Sequence, residues 1–142
     1  MQIISPAPQF IDANLVMYSL GGSHPLRDPC KKILEKIKVQ KIRVVTDTEV
    51  LQEILYRYFS IKKYSFGEIA YISMVQFCAK IFPVTIHDTD RALELLKTFP
   101  AITSRDAIHA AVMINNGIKQ IFSTDTHFDL IPDIKRIDPE QH

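Results

Sequence analysis

The sequence predicts an α/β fold, a three-layer α/β/α sandwich built around a mainly parallel central sheet. The first observation is that short β-branched segments alternate along the chain with longer amphipathic ones. The second is that most strand-like segments are followed by a helix-length stretch, as parallel pairing requires. The third is that no linker, repeat or low-complexity segment divides the 142 residues. We therefore expect a single domain covering residues 1–142.

The first half of the chain predicts two strands and four helices. A Pro-punctuated start leads into a short strand, and the helix after it stops at Gly21 and Gly22. Apolar residues at helical spacing predict the other helices, and a β-branched run predicts the second strand. The strands are predicted at 10–12 (FID) and 42–46 (IRVVT), and the helices at 13–20, 24–41, 48–61 and 64–81.

The second half predicts further strand and helix units. A helix beginning near Asp88 or Thr89 follows the third strand, and another helix is closed by Asn116 and Gly117. The strands are predicted at 82–86 (FPVTI) and 119–124 (KQIFST), with a weak edge strand at 134–138 (IKRID), and the helices at 88–99 and 103–117.

The composition narrows the class of protein. With 46% hydrophobic residues, 23% charged residues and a formal charge of +1, the chain is an ordinary globular protein, and its charge indicates no partner. Cys30 and Cys78 lack CxxC spacing, which favours a reducing compartment over a disulfide framework. The N-terminus lacks a signal-peptide pattern, and no apolar run could span a bilayer. We expect a soluble, cytoplasmic protein with no membrane partner.

Four acidic residues fall where ligands gather in parallel sheets, at the carboxyl ends of strands and the first turns of helices. Asp12 closes the first predicted strand, and Asp125 follows the strand KQIFST. Glu53 lies early in the helix after the second strand, and Asp106 lies in the first turn of a later helix. We expect all four side chains to reach the same edge of the sheet.

Each acid also has an ordinary structural explanation. Asp12 fits the N-cap of the helix that follows it, and Asp125 fits an Asx-turn. Glu53 could pair with Arg57 one turn later, at a gain of about 0.5 kcal/mol.

The local sequence weighs on two of these explanations. Thr46 and Glu49 already form a capping-box pattern, so Glu53 is not needed to begin its helix. Asp106 fits a capping box with Thr103, yet its helix has no broad polar stripe and is predicted to be buried. A carboxylate buried there needs hydrogen bonds, a counter-charge or a metal ion.

One metal site would explain all four acids together. Carboxylates a few ångströms apart repel each other or take up protons unless a cation neutralises them. Oxygen ligands without a cysteine or histidine cluster favour Mg²⁺ or Mn²⁺ over Zn²⁺. His109, one turn after Asp106, is expected to pack or to orient Asp106 rather than to bind metal.

These segments resemble, in order and spacing, the acidic motifs of PIN-domain ribonucleases, and most of all the VapC-type toxins of toxin–antitoxin pairs. The similarity covers essentially the whole chain. It implies an α/β/α sandwich, a Mg²⁺ or Mn²⁺ site, endoribonuclease activity on RNA, a homodimer, and inhibition by a small antitoxin protein. The resemblance implies that one acid in each of four motifs is catalytic and binds the metal. The motifs are FIDANLVMYSLGG with Asp12, TEVLQEILYRY with Glu53, SRDAIHAAVM with Asp106 and IFSTDTHFD with Asp125.

The chain departs from the family pattern at two positions. Ser123 stands where members often have threonine, and its hydroxyl can still orient a ligand. His127 stands where a second acid is often found, which leaves the number of metal ions open. Asp129 is a possible substitute ligand, with less support than Asp125. Asn14 and Ser123 are candidates to form hydrogen bonds with the metal ligands or with the phosphate, and turn and cap roles are the alternatives for both.

A basic and aromatic patch is the candidate RNA contact. Without the four site carboxylates, each carrying one negative charge, the formal charge would be +5 rather than +1. Arg57, Lys62 and Lys63 could hold the phosphate backbone while Tyr58 and Tyr64 stack on unpaired bases. A solvated helix end is the alternative.

Other functions remain open at this point. Residues 64–81 carry more apolar side chains than one buried face needs, which suggests a dimer interface or simple core packing. The chain could serve as a non-toxin PIN nuclease in RNA processing, or as a PIN module that binds RNA or protein without cutting. A Mg²⁺-dependent phosphatase would need a DxD pattern, which FIDAN does not offer.

Overall fold

A computed structural model describes residues 7–141. The first six residues and His142 lie outside the described part of the chain. The expectation about a signal peptide, and the outer limits of the expected domain, therefore fall partly outside it.

In the described part of the chain, five short strands form one sheet in which every neighbouring pair is parallel. The strand order is β3-β2-β1-β4-β5, so the first strand lies in the middle. The predicted parallel α/β fold is confirmed, and the predicted edge strand is present as β5. The strands are β1 (Gln9–Ile11), β2 (Val44–Asp47), β3 (Lys80–Phe82), β4 (Gln120–Phe122) and β5 (Lys135–Ile137).

Within residues 7–141, six α-helices cover the sheet. The first four helices pack against one another, and the last two pack chiefly against each other, with a smaller contact between the sixth and the third. The helices are α1 (Ala13–Leu20), α2 (Arg27–Val39), α3 (Thr48–Ser60), α4 (Tyr64–Phe77), α5 (Ile86–Thr98) and α6 (Ser104–Asn115). Two short 3-10 turns follow, at Thr126–Leu130 and Pro139–Gln141.

The strand order creates a switch point between β1 and β4. The chain steps from β1 to β2 to β3 in one direction, then crosses the sheet to β4 and continues to β5 in the other. Right-handed crossovers therefore place α1 to α4 on one face of the sheet and α5 and α6 on the other. In open parallel sheets, the crevice for a ligand forms where the direction reverses, beyond the carboxyl ends of the strands. Here these are the ends of β1 and β4.

The predicted strand at 82–86 was misplaced. β3 begins at Lys80, and α4 ends at Phe77 instead of continuing to residue 81. Pairing with β2 explains the shift, because the Ala79 N–H donates to the Val44 carbonyl at 2.8 Å and sets the register. Beyond β3 the chain turns away, and Thr85 begins α5 through a capping box.

The predicted capping box of Thr46 and Glu49 is also wrong. Thr46 is the third residue of β2, where its hydroxyl donates to the Ile11 carbonyl at 2.9 Å. Asp47 is the N-cap of α3, since its Oδ1 accepts the Val50 N–H at 2.9 Å. The strand thus extends one residue further than predicted and ends in a buried carboxylate.

Helices α3 and α4 cross in close contact at Gly67. A Cβ added there would lie 2.9 Å from both the Tyr58 Cβ and the Phe59 ring, so only glycine fits without separating the helices. At the end of α6, Gly117 adopts a φ of 71°, the left-handed conformation that closes a helix.

The core lies on both faces of the sheet. Phe10, Ile11 and Ile121 are fully buried in the central strands, and Ala107, Ala110 and Val112 bury one helix of the opposite layer. Burial of α6 agrees with its predicted lack of a polar stripe. Within residues 7–141, no helix is both long enough and apolar enough to cross a membrane.

Candidate functional site

The four acids predicted from the sequence line one cleft. It has a volume of about 490 Å³ and opens beyond the carboxyl ends of β1 and β4, at the switch point of the sheet. Its walls come from the starts of α1, α3 and α6 and from the segment after β4. The lining residues are Asp12, Asn14, Glu49, Glu53, Thr103, Ser104, Arg105, Asp106, Ile108 and Asp125.

Asp12 combines the structural and the candidate functional role. It directly follows β1, and its Oδ1 accepts the Ala13 N–H at 2.8 Å as the N-cap of α1. Its side chain is buried, and this desolvation raises its pKa to about 6, although His109 lowers it and Glu53 raises it further. The ionised carboxylate is therefore costly, and a nearby cation would relieve that cost.

Ser123, just after β4, and Asn14, in the first turn of α1, hold Asp12 in place. The Ser123 hydroxyl donates to Asp12 Oδ2 at 2.7 Å and accepts the Asp125 N–H at 3.0 Å. The Asn14 amide donates to Asp12 Oδ2 at 3.2 Å, and its oxygen accepts the Thr124 N–H at 3.3 Å. These bonds join the end of β1 to the end of β4. Both predicted supporting residues therefore contact a site acid.

Asp106 and Asp125 meet at the other side of the cleft. The Thr103 hydroxyl accepts the Asp106 N–H at 3.2 Å, so Thr103 is the N-cap of α6, which is one of the two bonds of the predicted capping box. Asp125 Oδ1 accepts the His127 N–H at 2.9 Å, which is the predicted Asx-turn. Burial raises the pKa of Asp106, and the neighbouring Asp125 charge raises it further. The local structural roles thus leave both carboxylates in the cleft.

His127 bridges these two carboxylates. Its Nδ1 lies 2.9 Å from Asp106 Oδ2 and 3.2 Å from Asp125 Oδ1. The hydrogen bond to Asp106 and the charge of Asp125 raise the pKa of His127. The imidazole thus takes a place in the cluster where the family pattern often has an acid.

Glu53 points across the cleft toward Asp12. It pairs with Arg105, whose Nε lies 3.3 Å from Glu53 Oε1, and not with Arg57 as the structural alternative proposed. Arg105 also lies 3.8 Å from Glu49, and its side chain is 43% exposed. Arg105 therefore lies at the rim of the cleft, where solvent weakens its attraction to the two glutamates.

Two buried residues of this site were missed or misassigned. His109 does not orient Asp106, as predicted; its Nδ1 lies 2.8 Å from Asp47 Oδ2 and its Nε2 lies 3.5 Å from Glu53 Oε1. Burial favours a neutral imidazole, but the charge and hydrogen bond of Asp47 and the contact with Glu53 raise the pKa of His109 well above its usual value. The signal for Asp47 was an acid directly after the run IRVVT, which the capping pattern of Thr46 obscured.

The candidate ligands form two groups rather than one. Asp12, Glu53 and His109 each offer an atom within 4.8 Å of the others, and so do Asp106, Asp125 and His127. Each group includes one histidine nitrogen beside its carboxylate oxygens. Carboxylate oxygens still dominate, and such ligands suit hard divalent ions, while a histidine nitrogen is tolerated better by Mn²⁺ than by Mg²⁺.

Other candidates from the sequence lie outside the cleft. Asp129 forms a two-pronged ion pair with Arg136, at 3.0 and 3.1 Å, and is half exposed, so it is not placed to substitute as a ligand. Arg57, Lys62 and Lys63 are exposed residues of α3 and the turn after it, and none of them lines the cleft. Any contact they make with RNA would lie away from the acids.

The comparison with known proteins agrees with this geometry. The PIN domain family model matches residues 10–134. Ribonuclease VapC13 of Mycobacterium tuberculosis is 35% identical over 127 residues, which cover 89% of this chain and 97% of that protein.

Two solved structures have the same fold. The crystal structure of Mycobacterium tuberculosis VapC20, described as a sarcin-ricin loop cleaving toxin, has a TM-score of 0.72 at 18% identity and covers 87% of this chain and 94% of that one. VapBC2 from Rickettsia felis, bound to a DNA fragment from its promoter, has a TM-score of 0.72 at 18% identity, with coverage of 92% and 98%. With its acids gathered at the switch point of a parallel sheet, the chain belongs to the PIN-domain family and is homologous to the VapC ribonucleases of toxin–antitoxin systems.

Proposed function

We propose that the chain is a divalent-metal-dependent endoribonuclease that cleaves RNA phosphodiester bonds and acts as the toxin of a VapBC-type pair. The observation that carries this proposal is the convergence of Asp12, Glu53, Asp106 and Asp125 on one cleft at the switch point. The ribonuclease relative that covers nearly the whole chain supports the same activity. Its compartment is the cytoplasm, as expected from the sequence.

The donor set of the cleft fits Mg²⁺ or Mn²⁺. Asp12 is buried with a raised pKa, and Asp106 is buried beside a second carboxylate, so both sites gain from a cation. Asp12, Asp106 and Asp125 would hold one ion directly or through water, with Glu53 completing that site or holding a second ion. Bound Mg²⁺ or Mn²⁺ supplies a water of lowered pKa and offsets charge on the phosphate and the leaving oxygen.

The side chains of the cleft prepare this chemistry before substrate binds. Ser123 and Asn14 donate to Asp12 Oδ2, while Oδ1 accepts the Ala13 N–H and faces His109, so the protein fixes the orientation of both carboxylate oxygens. Arg105 at the rim balances part of the negative charge that an incoming phosphate would meet. No covalent intermediate with the protein is required.

The RNA backbone is proposed to run from the cleft along the exposed side of α3 to the turn after it. Arg57, Lys62 and Lys63 are exposed there, and Lys63 Nζ lies 6.0 Å from the centre of the Phe66 ring. Such a basic and aromatic surface suits single-stranded RNA, whose bases can stack while cations hold the phosphates.

A small antitoxin and a second copy of the chain are the proposed protein partners. Helices α3 and α4 expose large apolar side chains, as expected for an interface, and a bound partner would cover them. A toxin-antitoxin complex from Klebsiella pneumoniae has the same fold, which supports an antitoxin partner. The exposed residues are Leu55, Phe59, Phe66, Ile69, Ile72 and Val75.

One cleavage assay tests the catalytic proposal. Purified protein is incubated with structured and unstructured RNA in Mg²⁺, Mn²⁺ or EDTA, and cleavage is expected only with a metal ion. Asp12→Asn and Asp106→Asn should fold but cleave more than about 100-fold slower, since each removes a ligand charge. Asp90→Asn, an exposed acid of α5, is the matched control and should cleave at the wild-type rate. Cleavage in EDTA, or full activity in both cleft variants, would reject the proposal.

A further inference from the structure

His109 is a buried titratable side chain for which the proposed chemistry has no role. Its ring is 1% exposed and packs 5.5 Å from the Phe10 ring, so it cannot turn toward solvent. Apolar side chains fill such positions at lower cost, because a buried imidazole must find partners for both of its nitrogens. The groups that face its two ring nitrogens therefore indicate what this imidazole does.

One ring nitrogen is anchored to a fixed carboxylate. The Nδ1 of His109 lies 2.8 Å from Asp47 Oδ2, and Asp47 is fully buried. The other oxygen of Asp47 accepts the Val50 N–H at 2.9 Å and caps α3. Asp47 therefore cannot follow a moving ring, and the ring orientation is set from the junction of β2 and α3.

The other ring nitrogen faces the proposed metal ligands. Nε2 lies 3.5 Å from Glu53 Oε1 and 4.0 Å from Asp12 Oδ1. Each ring nitrogen therefore faces a carboxylate oxygen, Nδ1 toward Asp47 and Nε2 toward Glu53. A line of polar contacts thus runs from the start of α3, through α6, and back to Glu53 in the second turn of α3.

Glu53 needs such a contact more than the three aspartates do. Asp12, Asp106 and Asp125 are fixed by short side chains and by bonds to neighbouring backbone or side chains. Glu53 has one torsion more, and its other partner is Arg105, which is 43% exposed and weakened by solvent. The His109 contact is the one that water does not reach.

We propose that Asp47 and His109 form a positioning pair, which holds the Glu53 carboxylate toward Asp12 so that the two acids can bind a divalent ion together. This inference rests on the proposed metal-dependent function but concerns how the metal is bound, not whether RNA is cut. Partners that orient ligands in this way typically change metal affinity by about 10- to 100-fold when removed.

Two substitutions of His109 separate positioning from packing. An asparagine amide nitrogen stands where Nδ1 does, so His109→Asn keeps the bond to Asp47 but does not reach Glu53. A glutamine amide nitrogen stands where Nε2 does, so His109→Gln keeps the donor to Glu53 and loses the bond to Asp47. The exposed His87 of α5, changed to glutamine, is the matched control.

The readouts are the Mn²⁺ dissociation constant, from the electron paramagnetic resonance signal of free Mn²⁺, and the thermal midpoint in EDTA. We expect His109→Asn, which loses the donor to Glu53, to bind Mn²⁺ about tenfold more weakly, and His109→Gln, which keeps that donor but loses the Asp47 anchor, to fall between it and wild type. His87→Gln should stay within about threefold of wild type. A purely structural role predicts the opposite order: His109→Gln leaves the buried Asp47 carboxylate without its partner, so it should have the lower midpoint and also bind Mn²⁺ more weakly than His109→Asn. That order, or equal affinity in all variants, would overturn the proposal.

A double-mutant cycle with Glu53→Gln tests the route of the effect. If His109 acts through Glu53, His109→Asn should weaken Mn²⁺ binding no further once Glu53 is changed. Additive losses would overturn the positioning role, as would wild-type protein that binds no Mn²⁺. If the variants bind Mn²⁺ as expected but wild-type protein cuts no RNA, the proposed ribonuclease function is wrong, while the positioning role of Asp47 and His109 stands.

Discussion

Replacing Asp12 by asparagine should stabilise the metal-free protein near neutral pH while it abolishes cleavage. Burial raises the Asp12 pKa from 3.8 to about 6. At about 1.36 kcal/mol per pKa unit, keeping this carboxylate ionised costs the folded protein about 3 kcal/mol above pH 6. Asparagine carries no charge, so that cost disappears. Part of the gain is offset because the new amide N–H₂ meets the Asn14 donor, at about 1 kcal/mol.

The sign of the pH dependence follows from the proton count. Between pH 4 and 6 the folded protein keeps the Asp12 proton while the unfolded chain has lost it, so the folded state binds more protons. The free energy of unfolding then decreases as pH rises through this window and levels off above pH 6. Asp12→Asn lacks this component. His127 and Asp106 titrate in both proteins and largely cancel in the difference, and the interaction of Asp12 with His109 is already contained in the raised pKa of Asp12.

The assay is urea unfolding followed by circular dichroism in EDTA, at pH values from 4 to 7.5. The variant should be slightly less stable than wild type at pH 4 and about 2 kcal/mol more stable at pH 7, a swing of about 3 kcal/mol. Saturating Mg²⁺ should stabilise wild type but not Asp12→Asn. If the difference in free energy of unfolding between the two proteins does not change with pH, burial does not destabilise the ionised Asp12 carboxylate, and the argument that this cost favours metal binding is refuted.

Three other substitutions test separate parts of the molecule. Gly67→Ala should lower the free energy of unfolding by about 1–3 kcal/mol, because its Cβ would clash with Phe59. Gly22→Ala is the control and should not lower it, since nothing lies within 4 Å of the added Cβ; equal urea midpoints for the two variants would contradict this. Changing Lys62 and Lys63 together to alanine should weaken RNA binding, measured by fluorescence anisotropy, and reduce the slope of log affinity against log salt by about 1.4. An unchanged slope would show that these two lysines do not contact the RNA. His127→Asp should raise Mg²⁺ affinity about tenfold by calorimetry, since it adds a ligand charge; unchanged affinity would place the side chain outside the ion's ligands.

The parts of the fold that followed local patterns were predictable. The period of apolar residues located all six helices, and the β-branched runs located the central strands. The third strand was misplaced because KIF and FPVTI are equally apolar, and only the register imposed by β2 selects Lys80–Phe82. Such pairing information is not local to the segment, so periodicity cannot supply it.

The acids of the site were predictable for a different reason. The rule for parallel sheets depends only on where a strand ends, and the sequence shows these ends as acids after apolar runs. Asp12 and Asp125 were therefore located correctly even though the strand limits were off by one or two residues. Their cap and turn bonds also exist, so the structural and the functional explanations were not alternatives: the same bonds aim the carboxylates into the cleft.

The cations of the site escaped prediction because their partners are distant in sequence. His109 was weighed against Asp106, one turn away, whereas its partner Asp47 is 62 residues away and sits on another element. Arg105 likewise pairs with Glu53 across two helices, while the sequence suggested Arg57 one turn along the same helix. In a cluster of repelling carboxylates, the residues that offset the charge come from whichever elements the fold brings close. The acids can therefore be read from strand ends, while their counter-charges follow only from how α3 and α6 dock.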